Sequence, residues 1–391
     1  MKWFLGIFDL NGRYLENEIV GSYNELEKPQ NAEVENTTVF DGDAACFMTS
    51  VKGIYINNKV VNLNQYYIFG DIRIDNRKEI VRKYNLDVDY YKNDELIFLY
   101  LYRTIGIEFL GQIVGEFSFI IWNREQKKLF CARDQMGIKT LFWTVKDGTV
   151  YIASDLHLLK KVFDISNLNQ NYFQEYYVSN GYIDTKSTPY QNVNRLPSAC
   201  WLVASKEKVF YKRYWDISEY TNEIIYTKEE QYEEHFVEIM NEAVQSRLLP
   251  GQRNAVLMSG GLDSTTVFAL AKQQEDSKRC EVIPISYVYE KYKNSDEREY
   301  IEPILAMYST EGVYHNCDEE VIFNDFPNDT EWSYEPYVSA FSHAILNTML
   351  HKASLMKAKN LFTGYAGDHV LNGTEMVIAD QLKKGRIFFS N

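Results

Sequence analysis

Asn254-Ala255-Val256-Leu257-Met258-Ser259-Gly260-Gly261-Leu262-Asp263-Ser264 is an apolar run that breaks at a doubled glycine and resumes as a helix-forming segment. Asn254–Met258 predicts a strand and Ser264–Gln273 a helix, with Ser264 expected at the N-cap. Two adjacent glycines let the backbone turn tightly and expose consecutive N–H groups, and the helix start adds a partial positive charge. A loop of this kind cradles a pyrophosphate. Ser259 and Ser264 are expected to add hydroxyl donors, and Asp263 is a hard oxygen ligand suited to Mg2+ bridging two phosphates. A tight turn followed by a capped helix would explain a bare Gly-Gly, but six fitting positions between strand and helix point to phosphate. No lysine follows the glycines. Such a loop is better suited to expelling pyrophosphate whole than to transferring a terminal phosphoryl group.

Outward from this loop the pattern alternates. Upstream, Tyr232, Phe236, Ile239, Met240, Ala243, Val244 and Leu248 recur at three- and four-residue steps and predict an amphipathic helix. Downstream, Glu281–Tyr287, Gly312–Asn316 and Asn360–Thr363 predict strands, separated by helices at Asp296–Tyr308 and Ala340–Lys359. Pro303 is expected to bend or interrupt the first of these helices. Strand–helix–strand alternation implies a parallel sheet. At the end of the last predicted strand stands Thr363-Gly364-Tyr365-Ala366-Gly367-Asp368-His369. Its glycines and acid lie where ligands gather in parallel sheets, so Asp263 and Asp368 are expected to grip Mg2+ from two sides.

The first half reads differently. Short runs rich in Tyr, Phe, Val and Ile (Gln65–Phe69, Glu116–Trp122, Lys128–Ala132, Leu141–Val145, Thr149–Ala153) are separated by turn signals at Asn11-Gly12, Asp41-Gly42, Asp147-Gly148 and Asn180-Gly181. Helices are predicted at Asp94–Ile105 and Asn169–Ser179, and the polar segment Lys206–Glu229 reads as a linker. With 391 residues and 45% hydrophobic content the chain has length and apolar surface for two cored domains. A net charge of −14 repels phosphate backbones, which disfavours bulk nucleic-acid binding but not a local pocket for one nucleotide. No stretch reaches the roughly 18 apolar residues that span a bilayer. Five scattered cysteines without a CxxC pair disfavour a disulfide framework or a zinc site, and a soluble protein of the reducing cytoplasm fits best. The six histidines show no HExxH pattern.

These residues resemble the asparagine-synthetase-like ATP-dependent amide ligases. SGGLDS is similar to that family's pyrophosphate loop, and TGYAGDH stands where the family has a TGxGxDE-type segment whose aspartate binds magnesium. MKWFLGIFDLNG, FGDIRIDNRKEI, NDELIFLYL, GEFSFIIWNREQKKLFCARDQMGIKTLFW and YIASDLHLL follow, in order, the family's N-terminal amidotransferase-type domain. The resemblance implies an α+β N-terminal Ntn-hydrolase-like αββα sandwich over residues 1–205, a linker at 206–229, and an α/β PP-loop domain over 230–391. That last domain is of the adenine nucleotide alpha hydrolase-like kind, with a parallel sheet. It also implies ATP and Mg2+, with Met258, Thr363 and Gly364 lining adenine and ribose beside Ser259, Gly260, Gly261, Asp263 and Ser264.

One departure decides much. The family's glutamine hydrolases carry a nucleophilic cysteine immediately after the initiator methionine, and here that position is Lys2. A lysine protonated at neutral pH cannot replace a thiolate, so glutamine should not be cleaved. Asn76 and Asp94 match glutamine-holding positions and are expected as structural remnants, and Arg133, Asp134, Gly137 and Lys139 as fold supports. The amine must then come from elsewhere, as in the family's ring-closing members, the β-lactam synthetases and lasso-peptide macrolactam cyclases. Tyr365 resembles the β-lactam synthetase tyrosine that helps deprotonate the attacking amine, although an aromatic at the pocket edge reads equally well. Ile378–Arg386 looks like the stretch that follows the aspartate motif in lasso cyclases. Glu297 fits a family acidic position or a solvated helix start, and His369 reads as a surface or supporting histidine.

The expected substrate is a peptide or small-molecule carboxylate with an amine, with a precursor peptide and leader-handling proteins as partners, and with no nucleic acid or membrane. The chain runs 391 − 368 = 23 residues past Asp368, short of the family's helical block with its adenylation lysine, and is expected to be C-terminally truncated. Two alternatives stay open: asparagine synthesis from free ammonia, and a non-catalytic precursor- or nucleotide-binding partner.

Overall fold

The structure, a computed structural model, describes residues 2–15, 34–51, 59–87, 92–163, 165–179, 181, 184–220, 224–320, 334–336, 343–371 and 382–383. The chain forms two compact units, one built mainly from Met1–Ile224 and the other from Ile225 onward.

In the first unit, aromatic and β-branched strands pair into two six-stranded antiparallel sheets. Strand Lys2–Asp9 lies between Ala44–Val51 and Thr149–Ala153 in one sheet. Tyr66–Ile74, Gly115–Asn123 and Lys128–Arg133 run through the middle of the other. Because side chains alternate across a strand, Phe4 and Phe8 point to the space between the sheets, where they meet Phe69, Ile120 and Trp122. Leu5 and Ile7 point the other way, onto helix Leu156–Val162. On the far side, Ile72, Phe117 and Phe119 take helix Asp94–Ile105, whose Phe98 sits edge-on to Phe109, Phe117 and Phe119 at 5.0–5.2 Å. The layers are helix, sheet, sheet, helix, the αββα sandwich expected from the sequence. Asp147 and Gly148 both have positive φ (51° and 80°), the I′-type turn that joins Phe142–Lys146 to Thr149–Ala153. Helix Asp94–Ile105 starts where Asn93 caps it, its Oδ1 accepting from the Leu96 N–H at 2.7 Å.

The segment read as a linker, Lys206–Glu229, is partly ordered into this unit. Val209–Arg213 pairs antiparallel with Cys200–Ala204, because Phe210 packs edge-on to Trp201 and Val209 and Tyr211 reach the inter-sheet core. Tyr334 and Glu335, distant in sequence, also belong here: Glu335 pairs with Arg195, and Lys160 Nζ lies 5.2 Å above the Tyr334 ring.

The second unit carries a four-stranded parallel sheet in the spatial order Val313–Asn316, Glu281–Val288, Arg253–Leu257, Asn360–Thr363. Val256, Met258 and Val282 face helices Glu229–Arg247, Leu262–Gln273 and Arg298–Met307 through Val244, Phe268, Ile301 and Leu305. Ala255, Ile283 and Ile285 face helix His343–Leu355 through Met349 and Ala353. Pro303 lies inside helix Arg298–Met307 and does not interrupt it. The amphipathic stripe on Glu229–Arg247 is buried only near its C-terminal end: Val244 is buried, whereas Tyr232, Phe236 and Ile239 are 43–51% exposed. A 19-residue helix extends about 28 Å, while the five-residue strand beneath spans only about 17 Å, so its first turns outrun the sheet.

All five thiols are free, and none of the described helices is long and apolar enough to cross a membrane. The Asn180 half of one predicted turn and most of Ile378–Arg386 lie outside the described residues; of the latter, Leu382 and Lys383 are helical and exposed.

Candidate functional site

Strands Arg253–Leu257 and Asn360–Thr363 are first and last along the sequence of this sheet yet are neighbours, paired Leu257↔Thr363. Between them the strand order reverses. In open parallel sheets the crevice beyond the carboxyl ends at such a reversal is where ligands bind. The two motifs singled out from sequence leave the sheet at this point, side by side.

The contact between them is made by glycines. A Cβ on Gly364 would lie 2.6 Å from the Ser264 backbone nitrogen, and one on Gly367 would lie 2.3 Å from Asp263 Oδ2. The absence of those two carbons lets the second loop close onto the first turn of helix Leu262–Gln273 and brings the Asp263 carboxylate against the residue preceding Asp368. Ala366, between the two glycines, has φ +67°, in the left-handed region that favours glycine. Ala366→Gly is therefore expected to stabilise the fold by about 1 kcal/mol, raising the thermal midpoint by roughly 2–4 °C. An unchanged or lower midpoint would show that the loop carries no such strain.

The serines behave differently from expectation. The helix begins at Leu262 with Gly261 at the N-cap, so Ser264 is in the first turn and not the cap. Its side chain is turned back into the loop, where Oγ accepts from the Ser259 N–H at 3.0 Å and lies 2.9 Å from Ser259 Oγ. With Ser264 5% exposed, the hydroxyl pair braces the loop from beneath. The sequence shows a hydroxyl near a helix start but not which way it faces. Met258 is also displaced from its expected role. At 1% exposure it sits in the core with Phe268, and its N–H bonds to the Ile285 carbonyl at 2.8 Å, so its side chain fills the strand–helix junction and does not line an open face.

Gly261, Thr363 and Asp368 are exposed, and Gly260, Asp263 and Gly364 are partly so. Thr363 Oγ1 accepts from the Tyr365 N–H at 3.3 Å, and Tyr365 is 90% exposed. Among the described residues no group of three His, Cys, Asp or Glu side chains is placed to hold a metal. Asp263, in the first turn of its helix, and Asp368, next to the Gly367 that meets it, offer two hard carboxylates, which fit a divalent cation only where phosphate oxygens complete its shell. Glu297, left ambiguous by sequence, accepts from the Gly260 N–H at 2.9 Å.

In the first unit, Lys2 is 4% exposed, and its Nζ donates to Glu95 Oε1 at 2.9 Å. The Lys2 N–H donates to Asp71 Oδ2 at 3.3 Å, and Lys139 pairs with the same oxygen at 2.9 Å. Lys2, Glu95, Asp71 and Lys139 thus form a largely buried ionic network at the start of the first strand. Asn76 is tied into a turn, accepting from the Val114 N–H at 3.0 Å and donating to the Gln112 carbonyl at 3.0 Å. Arg133 donates to the Gly137 and Leu196 carbonyls, and the Asp134 carboxylate accepts from the Ile138 and Lys139 N–H groups.

Asp94 pairs with Arg77, but burial outweighs that partner and lifts its carboxyl to about 6. A raised carboxylate binds its proton more tightly in the folded chain. Its contribution is thus fully present below the unfolded value near 4 and is lost as pH rises through 6. Asp94→Asn should gain stability relative to wild type between pH 4 and 6.5, read from urea midpoints at both ends; a pH-independent difference would contradict this.

A glutamine amidotransferase domain model matches residues 64–215, and an asparagine synthase model matches residues 235–389. The chain is 26% identical over 309 residues to a Methanocaldococcus jannaschii protein that carries the name of a second glutamine-hydrolysing asparagine synthetase, covering 77% of this chain and 57% of that one. It is 24% identical over 304 residues to Amidase chry2 of Gibberella zeae, covering 74% and 44%. It is 25% identical over 202 residues to glutamine-hydrolysing asparagine synthetase 1 of Bacillus subtilis, covering 51% and 31%. The chain spans about half the length, or less, of these curated relatives.

Proposed function

The chain belongs to the asparagine synthetase-like proteins, an amidotransferase-type domain preceding an asparagine synthase domain, and from that premise we propose that it forms an amide bond by activating a carboxylate with ATP. The observation that carries the reading is the closure of the turn at Gly364–Ala366, and of the start of helix Gly367–Leu371, onto Asp263 and Ser264 at the sheet's reversal point. That closure sets an anion-seeking helix start beside two carboxylates. Asp263 and Asp368 would hold Mg2+, which neutralises charge on the phosphates. A substrate carboxylate oxygen attacks the α-phosphorus, the bond to the β-phosphate oxygen breaks, and pyrophosphate leaves. An amine then attacks the acyl carbon of the adenylate, AMP departs, and the amine loses a proton. Tyr365 is the candidate acceptor of that proton. Its 90% exposure means that substrate itself must cover the phenol for it to act as a base.

The Lys2–Glu95 pair supports the second half of the proposal, that no ammonia comes from glutamine hydrolysis in this chain. Lys2→Cys alone would not create it, because the new thiol would face the unpaired Glu95 carboxylate, and a nearby negative charge raises a thiol's pKa. The amine then comes from the substrate, as in closing a lactam ring on a lasso-type peptide. Holding both ends of one peptide makes the step unimolecular, which can lower the barrier by roughly 7–11 kcal/mol. Cytoplasmic location, where ATP is supplied, is part of the same reading.

The test is peptide-dependent pyrophosphate release with ATP and Mg2+. Release above background with a ring-closed product is expected. Ammonia-dependent conversion of aspartate to asparagine would replace ring closure by the simpler synthetase reaction. Absence of release despite nucleotide binding would leave a non-catalytic nucleotide-binding partner.

A further inference from the structure

We infer that Glu297 is a positioning residue for the phosphate loop, holding the Gly260 amide so that the ligand is met by the first turn of the helix and not by the doubled glycine. The inference rests on the nucleotide reading above and deepens it by assigning which amides of that site face the anion.

Gly260 and Glu297 are 37 residues apart and follow the carboxyl ends of adjacent parallel strands, Arg253–Leu257 and Glu281–Val288. Glu297 Oε2 accepts from the Gly260 N–H at 2.9 Å. The carboxylate is carried on a fixed backbone, since the Glu297 carbonyl accepts from the Tyr300 and Ile301 N–H groups at 3.0 and 3.1 Å and so starts helix Arg298–Met307. That helix is anchored by Ile301 and Leu305, which share a core with Phe268 from the helix that follows the loop. The fit is close on the other side as well. A Cβ on Gly260 would stand 2.8 Å from Tyr300 Cβ and 3.2 Å from Glu297 Cβ, so the glycine serves apposition to this helix as much as turning.

The consequence for anion binding is a division of labour. The Gly260 N–H is occupied by a carboxylate, and the Gly261 N–H points to Ser259 Oγ at 3.3 Å. The amides of Leu262 and Asp263, at the start of the helix, have no intrahelical acceptor and remain for a phosphate. A hydrogen bond to a carboxylate is among the stronger ones, and it fixes the Gly260 end of the loop, which the Ser259–Ser264 hydroxyl pair does not reach.

The experiment compares wild type, Glu297→Ala and Glu297→Gln on the intact chain, using amide hydrogen exchange of the peptide containing Gly260 without nucleotide and calorimetric affinity for Mg·ATP. Glu297→Gln keeps an acceptor of the same shape and serves as the rescue variant, and circular dichroism establishes that each variant is folded. In Glu297→Ala, exchange should accelerate and Mg·ATP affinity should fall, each by roughly tenfold, while Glu297→Gln should recover to within about threefold of wild type. Unchanged exchange in Glu297→Ala would overturn the inference. So would tighter Mg·ATP binding in that variant, which would make the carboxylate a competitor for the loop, or equal losses in both variants, which would assign the effect to charge alone. If wild-type protein bound no Mg·ATP, the nucleotide reading would fall, and the exchange comparison would still decide whether Glu297 shapes the loop.

Discussion

Replacing Lys2 with methionine is expected to destabilise the first unit by about 3–5 kcal/mol, the usual cost of removing one partner from a buried ion pair. With the Lys2 and Glu95 side chains only 4% and 3% exposed, the remaining carboxylate has little access to water. For a unit of this size the loss corresponds to a midpoint roughly 10 °C lower. The companion variant separates charge from packing. Lys2→Met with Glu95→Leu removes both charges and keeps apolar volume, so it should recover most of the loss, since well-packed apolar replacements of buried pairs are commonly neutral or better. A single variant within about 1 kcal/mol of wild type, measured by urea unfolding, would mean that the pair contributes nothing and that the pocket hydrates readily.

The second large effect belongs to Gly364. Its missing Cβ would meet backbone, 2.6 Å from the Ser264 nitrogen and 3.0 Å from its Cα, and neither atom can move cheaply. The strand before it is fixed by pairing with Arg253–Leu257, so Gly364→Ala must push the following loop, with Asp368, away from Asp263. Separating Asp368 from Asp263 weakens their joint hold on the metal-bound triphosphate, and Mg·ATP affinity should fall by about tenfold or more, roughly 1.4 kcal/mol. Gly111→Ala is the control, because a Cβ there meets nothing within 4 Å. If Gly364→Ala bound Mg·ATP like wild type, the closure of the two loops would not be what forms the site.

Where local chemistry decides an element, the sequence reveals it. Helix Asp94–Ile105 forms over the range expected from sequence, and the doubled glycine locates the loop at the end of its strand. Inter-residue contacts of long sequence separation are not visible in this way. The bond from Gly260 to Glu297 depends on two neighbouring strands ending at the same level, and the pairing of Arg195 with Glu335 spans 140 residues. Val209–Arg213 looks polar in sequence because an edge strand has one wet face, which is why it reads as linker until its pairing with Cys200–Ala204 is seen. Ser264 and Met258 are on the expected motif, yet both turn inward, a matter of rotamer and packing that residue type does not fix. Glycines 364 and 367 are visible as loop residues, but their role as the surface against which Ser264 and Asp263 rest requires the fold.

The most direct test is calorimetric titration of the folded, intact chain with ATP, with and without Mg2+, for wild type and for Asp263→Asn. Saturable one-site heat that requires Mg2+ and is lost in Asp263→Asn is the predicted result. No saturable heat in the wild type, or equal heat in the variant, would contradict the claim that this loop grips a metal-bound triphosphate.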